Sequence, residues 1–229
     1  MSSLNRAAID VQLTRIEPWI RRWLRPALWA LVIIPAPVLI AQAFLDQLGA
    51  NPIREAEHFT GEWALRLLAG SLAVTPLMRL THWGWLVTQR RFLGLAAFYW
   101  ATAHLSVYIG LDMFFDVRDI VTDVLKHLYI TLGMLAFLLM VPLAITSTKG
   151  WIKRLGGRKW NVLHRLVYVS AVAACIHYIW GQKKDIEEPL MYAGVFVVLF
   201  AFRIFWPRKS RTPRVGTPGA DNKTPSPAV

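Results

Sequence analysis

Apolar runs almost free of charge recur six times along this chain, near residues 27–45, 63–78, 92–111, 128–146, 160–180 and 189–206. Each approaches the roughly 20 residues that a helix, rising about 1.5 Å per residue, needs to cross ~30 Å of hydrocarbon. A soluble helical bundle would alternate apolar and polar faces along each helix instead. The charged fraction agrees, at 17% against about 25% in an average soluble domain. In hydrocarbon a segment must satisfy its backbone polar groups internally, which helices do. The expected fold class is therefore all-α integral membrane protein, a six-transmembrane helix bundle, and a soluble enzyme is excluded.

The chain carries 26 Lys and Arg against 14 Asp and Glu, a formal net charge of +12. In a soluble chain that balance would suggest nucleic acid. With the six runs crossing alternately, however, 19 of the 26 basic residues fall on one side, in the N-terminal segment, the second and fourth loops and the C-terminal segment. The positive-inside rule then makes both termini cytoplasmic, and the partner of the charge is the lipid bilayer, not nucleic acid. Asp112, Asp116, Asp119, Asp123, Asp185, Glu187 and Glu188 all fall on the opposite side.

The expected organisation is a basic cytoplasmic segment over 1–25, a membrane domain over 26–206 and a disordered cytoplasmic tail over 207–229, which is rich in Pro, Ser, Thr and Gly. Ala41-Gln42-Ala43 resembles a signal-peptidase site, but the run before it is longer than a signal core of about 7–15 residues. Pro35 and Pro37 can be accommodated in a membrane helix. Neither a G-x-G-x-x-G nor a P-loop pattern occurs, and the 23 residues after Trp206 are too few for a nucleotide-binding domain. Cys175 is the single cysteine, so an intrachain disulfide is excluded and a Cys-based cluster is not expected.

Of the six histidines, His58, His82 and His127 fall near water, where an imidazole is ordinary. His104, His164 and His177 fall inside apolar runs, where an ionisable group is a functional candidate by default. Counting rise per residue puts His104 of the third run and His177 of the fifth at a shared level. His164 comes 13 residues before His177, nearer the inner surface and on a different helical face unless the helix is distorted. Two imidazoles without Cys, Asp or Glu at their depth do not make a zinc site; two axial nitrogens suit haem iron. Arg66 and Arg165 could face haem propionates or snorkel to the interface. Arg90 and Arg91 occupy the inner level opposite His164.

The segments Arg90-Arg91-Phe92-Leu93-Gly94-Leu95 with Tyr99, His104 and Tyr108, Tyr129-Ile130-Thr131-Leu132-Gly133, Pro142-Leu143-Ala144-Ile145-Thr146-Ser147, and Trp160-Asn161-Val162-Leu163-His164-Arg165 followed by His177-Tyr178 together resemble one family. It is the haem-binding membrane subunit of the bacterial periplasmic methionine sulfoxide reductase system, within the wider ferric-reductase-like transmembrane group. The likeness runs from about Arg21 to Trp206. It implies one or two b-type haems between the third and fifth spans, ligated from among His104, His164 and His177, with Arg66, Arg90, Arg91 and Arg165 as propionate or inner-haem contacts. It also implies FMN, at residues that the sequence does not identify. The setting would be the bacterial inner membrane. Electrons from the quinol pool or a cytoplasmic flavin reductase would pass to a periplasmic molybdopterin-dependent methionine sulfoxide reductase, which repairs oxidised envelope proteins.

The chain departs from the family in two places. Lys126-His127-Leu128-Tyr129 stands where the family more often has Lys-Arg-Pro-Tyr, which leaves His127 open as an extra ligand. Arg90 and Arg91 stand where larger relatives place a histidine of a second haem. The protein would be an electron conduit with no catalytic residue of its own. The alternatives are a stand-alone transmembrane b-type cytochrome, linked to quinol or to ferric iron, a small transporter with histidines in a proton path, or a purely structural membrane subunit. A transporter would favour Asp or Glu within the spans, which the runs lack.

Overall fold

A computed structural model describes residues 3–182 and 186–205, with side chains from residue 17 onward; the expected tail lies outside the described residues. The described residues are helical with turns and contain no strand. In chain order the helices are α1 (Ser3–Ile33), α2 (Pro35–Phe44), α3 (Pro52–Thr81), α4 (Val87–Val107), α5 (Val117–Lys126), α6 (Leu128–Ile145), α7 (Lys149–Leu163), α8 (Leu166–Gly181) and α9 (Glu187–Phe205). A single 3-10 turn, Gly84–Leu86, leads into α4, and a π-turn, Tyr108–Asp112, leads out of it.

Local chemistry sets the helix starts and stops. Pro52 opens α3 and the Asn51 side chain accepts the Arg54 N–H at 3.2 Å. The other end turns through His82 in the left-handed region, φ 61°, a common way to close a helix. The Asp116 carboxylate accepts the N–H groups of Arg118 and Asp119 at the start of α5, using donors that the first turn leaves free. At the α1–α2 junction the Ile34 N–H still reaches the Ala30 carbonyl at 2.9 Å, so the chain passes Pro35 and Pro37 without losing its helical course.

Four stretches are long and apolar enough to cross a membrane, namely Glu17–Phe44, Gly84–Asp112, Leu128–Ile145 and Glu187–Phe205. The α7–α8 pair, bent by 42°, makes a fifth if taken as one broken span. The run over 63–78 is the second half of α3. It is shorter than a full span of about 20 residues, and Glu55, Glu57 and Glu62 crowd the first half, so α3 does not meet that measure on its own. The run over 160–180 does not form one helix. It breaks at His164–Arg165, and a further kink at Gly156, φ 73° and ψ 152°, divides α7.

The bundle is built on two intimate helix pairs, α3 with α4 and α6 with α8, and α9 closes against α3 and α8. Small residues sit at the seams: Ala97 and Ala171 are fully buried, and residues of this size let helix backbones approach. Hydroxyls stitch the pairs together, Ser71 Oγ donating to the Arg90 carbonyl and Ser170 Oγ to the Ala136 carbonyl, both at 2.9 Å. The outward surface is apolar, with Leu138 56%, Val197 65% and Val198 67% exposed, as expected of faces turned to lipid. Ala97→Leu should overpack the α3–α4 seam and cost about 1–3 kcal/mol. Val198→Ala, on the outer surface, should stay within about 0.5 kcal/mol. Thermal unfolding in detergent distinguishes the two.

Candidate functional site

The imidazoles of His104, on α4, and His177, on α8, approach with ring centres 6.1 Å apart and planes crossed at 71°. Each ring is oriented by a main-chain carbonyl from a neighbouring helix. The Nδ1–H of His104 donates to the Glu57 carbonyl of α3 at 2.9 Å, and the Nδ1–H of His177 to the Tyr129 carbonyl of α6 at 2.7 Å. A carbonyl can only accept, so these contacts fix the proton on Nδ1 and leave the Nε2 lone pair free. That is how metal-binding histidines are commonly held.

Room for the two rings comes from glycines. A Cβ on Gly61 of α3 would lie 3.2 Å from His104 Nδ1, and one on Gly133 of α6 only 2.7 Å from His177 Nδ1. Each imidazole thus lies against a stretch of helix that presents no side chain. Both rings line a cavity of about 440 Å³, whose apolar wall includes Leu65, Leu68, Phe137 and Met140. Arg54 is the one guanidinium among its described lining residues. Burial, helped by the nearby Asp112 charge and opposed by Arg54, pushes the carboxyl of Glu57 on its wall up to about 7.

The donor set can be tested against the group that the sequence suggests. Two imidazoles sharing one metal at about 2 Å per bond would stand with ring centres roughly 6 Å apart, close to the separation observed. No group of three or more His, Cys, Asp or Glu able to hold a metal ion occurs among the described residues. A site with two nitrogen donors fits a metal that brings its own equatorial ligands, as haem iron does. The apolar wall suits a porphyrin face, and the cavity volume falls within the usual ligand range of about 300–1,000 Å³.

The other candidates lie elsewhere. His164 caps the end of α7, stacked on Trp160 with ring centres 3.8 Å apart and its Nδ1–H donating to the Trp160 carbonyl at 3.1 Å. It does not line the cavity. Arg66 is held within the protein: it donates to Glu62 at 2.6 Å and to the Tyr192 hydroxyl at 2.8 Å. Arg66, Arg90, Arg91 and Arg165 are not among the cavity's lining residues. His127 pairs with Asp123 at 2.7 Å and is half exposed.

Sequence reasoning did not single out Arg54, Gly61, Gly133 as a spacer, or the carbonyls of Glu57 and Tyr129. It also passed over Arg203, which joins α9 to α3 and α8 by donating to the Tyr168 hydroxyl, the Leu72 carbonyl and Thr75 Oγ1. An arginine inside an apolar run was the available signal for Arg203. For the glycines and carbonyls there was none beyond the helix in which each lies.

Residues 60–175 match the family model described as ferric reductase like transmembrane component, so this helical membrane protein belongs to the ferric-reductase-like transmembrane family. Three relatives that are each named as the heme-binding subunit MsrQ of protein-methionine-sulfoxide reductase place it more narrowly. The one from Herminiimonas arsenicoxydans is 44% identical over 191 residues, covering 82% of this chain and 88% of the relative. That from Ralstonia nicotianae is 43% identical over 193 residues, 83% and 89%, and that from Rhodospirillum rubrum 46% over 180 residues, 79% and 86%. The chain belongs to the MsrQ family. No solved structure matches it.

Proposed function

We propose that this chain is a multi-pass inner-membrane electron-transfer subunit that holds one b-type haem between His104 and His177. It would pass electrons from the quinol pool or a cytoplasmic flavin reductase to a periplasmic molybdopterin-dependent methionine sulfoxide reductase. The observation that carries this reading is the imidazole pair, 6.1 Å between ring centres, each Nδ1–H engaged by a carbonyl. Bound there, haem would supply reversible one-electron transfer.

The chain's own residues do the rest. The Glu57 and Tyr129 carbonyls hold the two rings in one tautomer, and the apolar wall keeps water from the centre. Arg54, at the cavity, is the cation available to a propionate, in place of the Arg66 that Glu62 and Tyr192 engage. His164 offers a single imidazole at the other end of the bundle, so we assign no second haem to it.

FMN does not fit the second cavity, of about 280 Å³. Glu55 and Glu62 line that cavity with no Lys or Arg among its lining residues, the wrong charge for a flavin phosphate, and no step is assigned to FMN. Six spans, with residues 63–78 of α3 completing the five stretches above and both termini cytoplasmic, accord with the distribution of basic residues. In this arrangement residues 1–25 and 207–229 flank the membrane domain on the cytoplasmic side.

The test is an absorption spectrum of the detergent-purified protein, oxidised and dithionite-reduced, with a pyridine haemochrome. A low-spin b-type spectrum at about one haem per chain is expected. A reproducibly haem-free protein after expression with haem precursor would overturn the proposal. Electron delivery from the reduced chain to the purified periplasmic reductase separates this reading from a stand-alone cytochrome.

A further inference from the structure

We propose that α5 is an interfacial helix, seated in the bilayer surface at the end of the bundle where the histidine cavity opens, with an apolar ridge turned to lipid. The inference needs the chain to lie in a membrane but does not depend on its holding haem.

The argument starts from three sides of one short helix. Val117, Val121 and Leu125 recur every four residues and form one ridge, and all three are exposed, Leu125 at 79%. The next ridge, about 100° further round, is Arg118, Thr122 and Lys126, exposed and polar. The third side, with Ile120, Asp123 and Val124, is half-buried against the protein. Two exposed ridges of opposite character beside a packed side are what a helix needs to lie along a bundle with hydrocarbon below it and water above.

The ends of the helix extend the apolar ridge. Leu128, at the start of α6, and Leu111, in the π-turn after α4, are both exposed, so exposed apolar side chains flank α5 on either side along the chain. Before α5 the chain makes a π-turn and then places Phe114 and Phe115 consecutively in the left-handed region, φ 47° and 61°. Side chains other than glycine rarely adopt that conformation. Here it leaves both rings exposed, at 78% and 73%, beside the start of the ridge. Bulky apolar side chains on one face are the usual anchors of an interfacial helix.

The position of α5 has a consequence for the cavity. Asp123, from the packed side of the helix, accepts from the Tyr108 hydroxyl at 2.8 Å and pairs with His127, and both Asp123 and Tyr108 line the cavity. The lipid contact therefore steadies one wall of the opening.

The test uses the full chain in lipid nanodiscs, with the buried Cys175 replaced by alanine and single cysteines placed at Val121, Thr122, Leu125 and Lys126. Each carries an environment-sensitive fluorophore. Positions 121 and 125 should emit blue-shifted light and be quenched by lipid-attached spin labels, while 122 and 126 emit as in water and are quenched by a soluble reagent. Water-like emission at all four positions overturns the proposal. So does a blue shift at 121 and 125 that arises only when a periplasmic protein partner is added, which would make the ridge a protein-docking surface.

Discussion

Removing either ring of the histidine pair should abolish the low-spin haem signal while the protein still inserts and purifies. His104→Ala and His177→Ala each delete one of two nitrogens whose ring centres stand 6.1 Å apart. What remains is a single ligand in a cavity whose other lining histidine, His58, is engaged at Nδ1 by the Gln182 amide at 3.1 Å. Even changes one step removed from a metal ligand cost about 10–100-fold in affinity, so loss of a ligand should leave haem occupancy below roughly a tenth. Any residual haem should be high-spin, because only one of the two imidazoles would remain to hold it. His164→Ala and His127→Ala serve as comparisons. The first side chain lies outside the cavity on Trp160, and the second is half exposed on Asp123, so both variants should keep the parental spectrum. A normal bis-histidine spectrum in both His104→Ala and His177→Ala would sink the assignment of the pair.

The helices and the histidine level were legible because both follow from arithmetic on one coordinate. A run free of charge gives a helix, and rise per residue gives depth, so His104 and His177 could be set at one height without any knowledge of packing. Rotation about the helix axis and contacts between helices are not fixed that way. The run over 160–180 reads as continuous because no residue in it forbids a helix. The break at His164–Arg165 belongs to tertiary and local contacts, in which Trp160 donates its indole N–H to the Thr146 carbonyl at 2.9 Å and accepts at its own carbonyl from His164. Arg66 invited a propionate role by its depth alone. The Glu62 partner four residues earlier was visible in the sequence, but the Tyr192 hydroxyl, 126 residues away, was not. Residues 112–127 fall between two apolar runs and carry four aspartates, and the four-residue spacing of Val117, Val121 and Leu125 that reveals α5 was there to be counted. The glycine spacers could not be found in this way, since a glycine in an apolar run carries no mark of what lies against it.

Those spacers support the second large effect, because they turn the site's geometry into a ranking. An added Cβ at Gly133 would lie 2.7 Å from His177 Nδ1, 2.8 Å from Cε1 and 3.1 Å from Cγ, closer than side-chain carbons approach a ring. The ring cannot swing away freely, because its Nδ1–H is bonded to the Tyr129 carbonyl at 2.7 Å and the Tyr129 ring stacks beside it. Moving it breaks the contact that sets its tautomer and aim. Gly133→Ala should therefore weaken haem binding by about 10–100-fold and shift what remains toward high spin. It should do so even though alanine favours a helix interior over glycine by about 1 kcal/mol. Gly61→Ala meets His104 less severely, at 3.2 and 3.3 Å, and a shift of a few tenths of an ångström should relieve it with partial loss. At Gly194 an added Cβ meets nothing within 4 Å, and alanine there should leave the spectrum unchanged. Haem occupancy and spin state across the three variants test the order Gly133, Gly61, Gly194. Parental spectra at Gly133→Ala would mean that the His177 ring does not bind haem from the place it holds against α6.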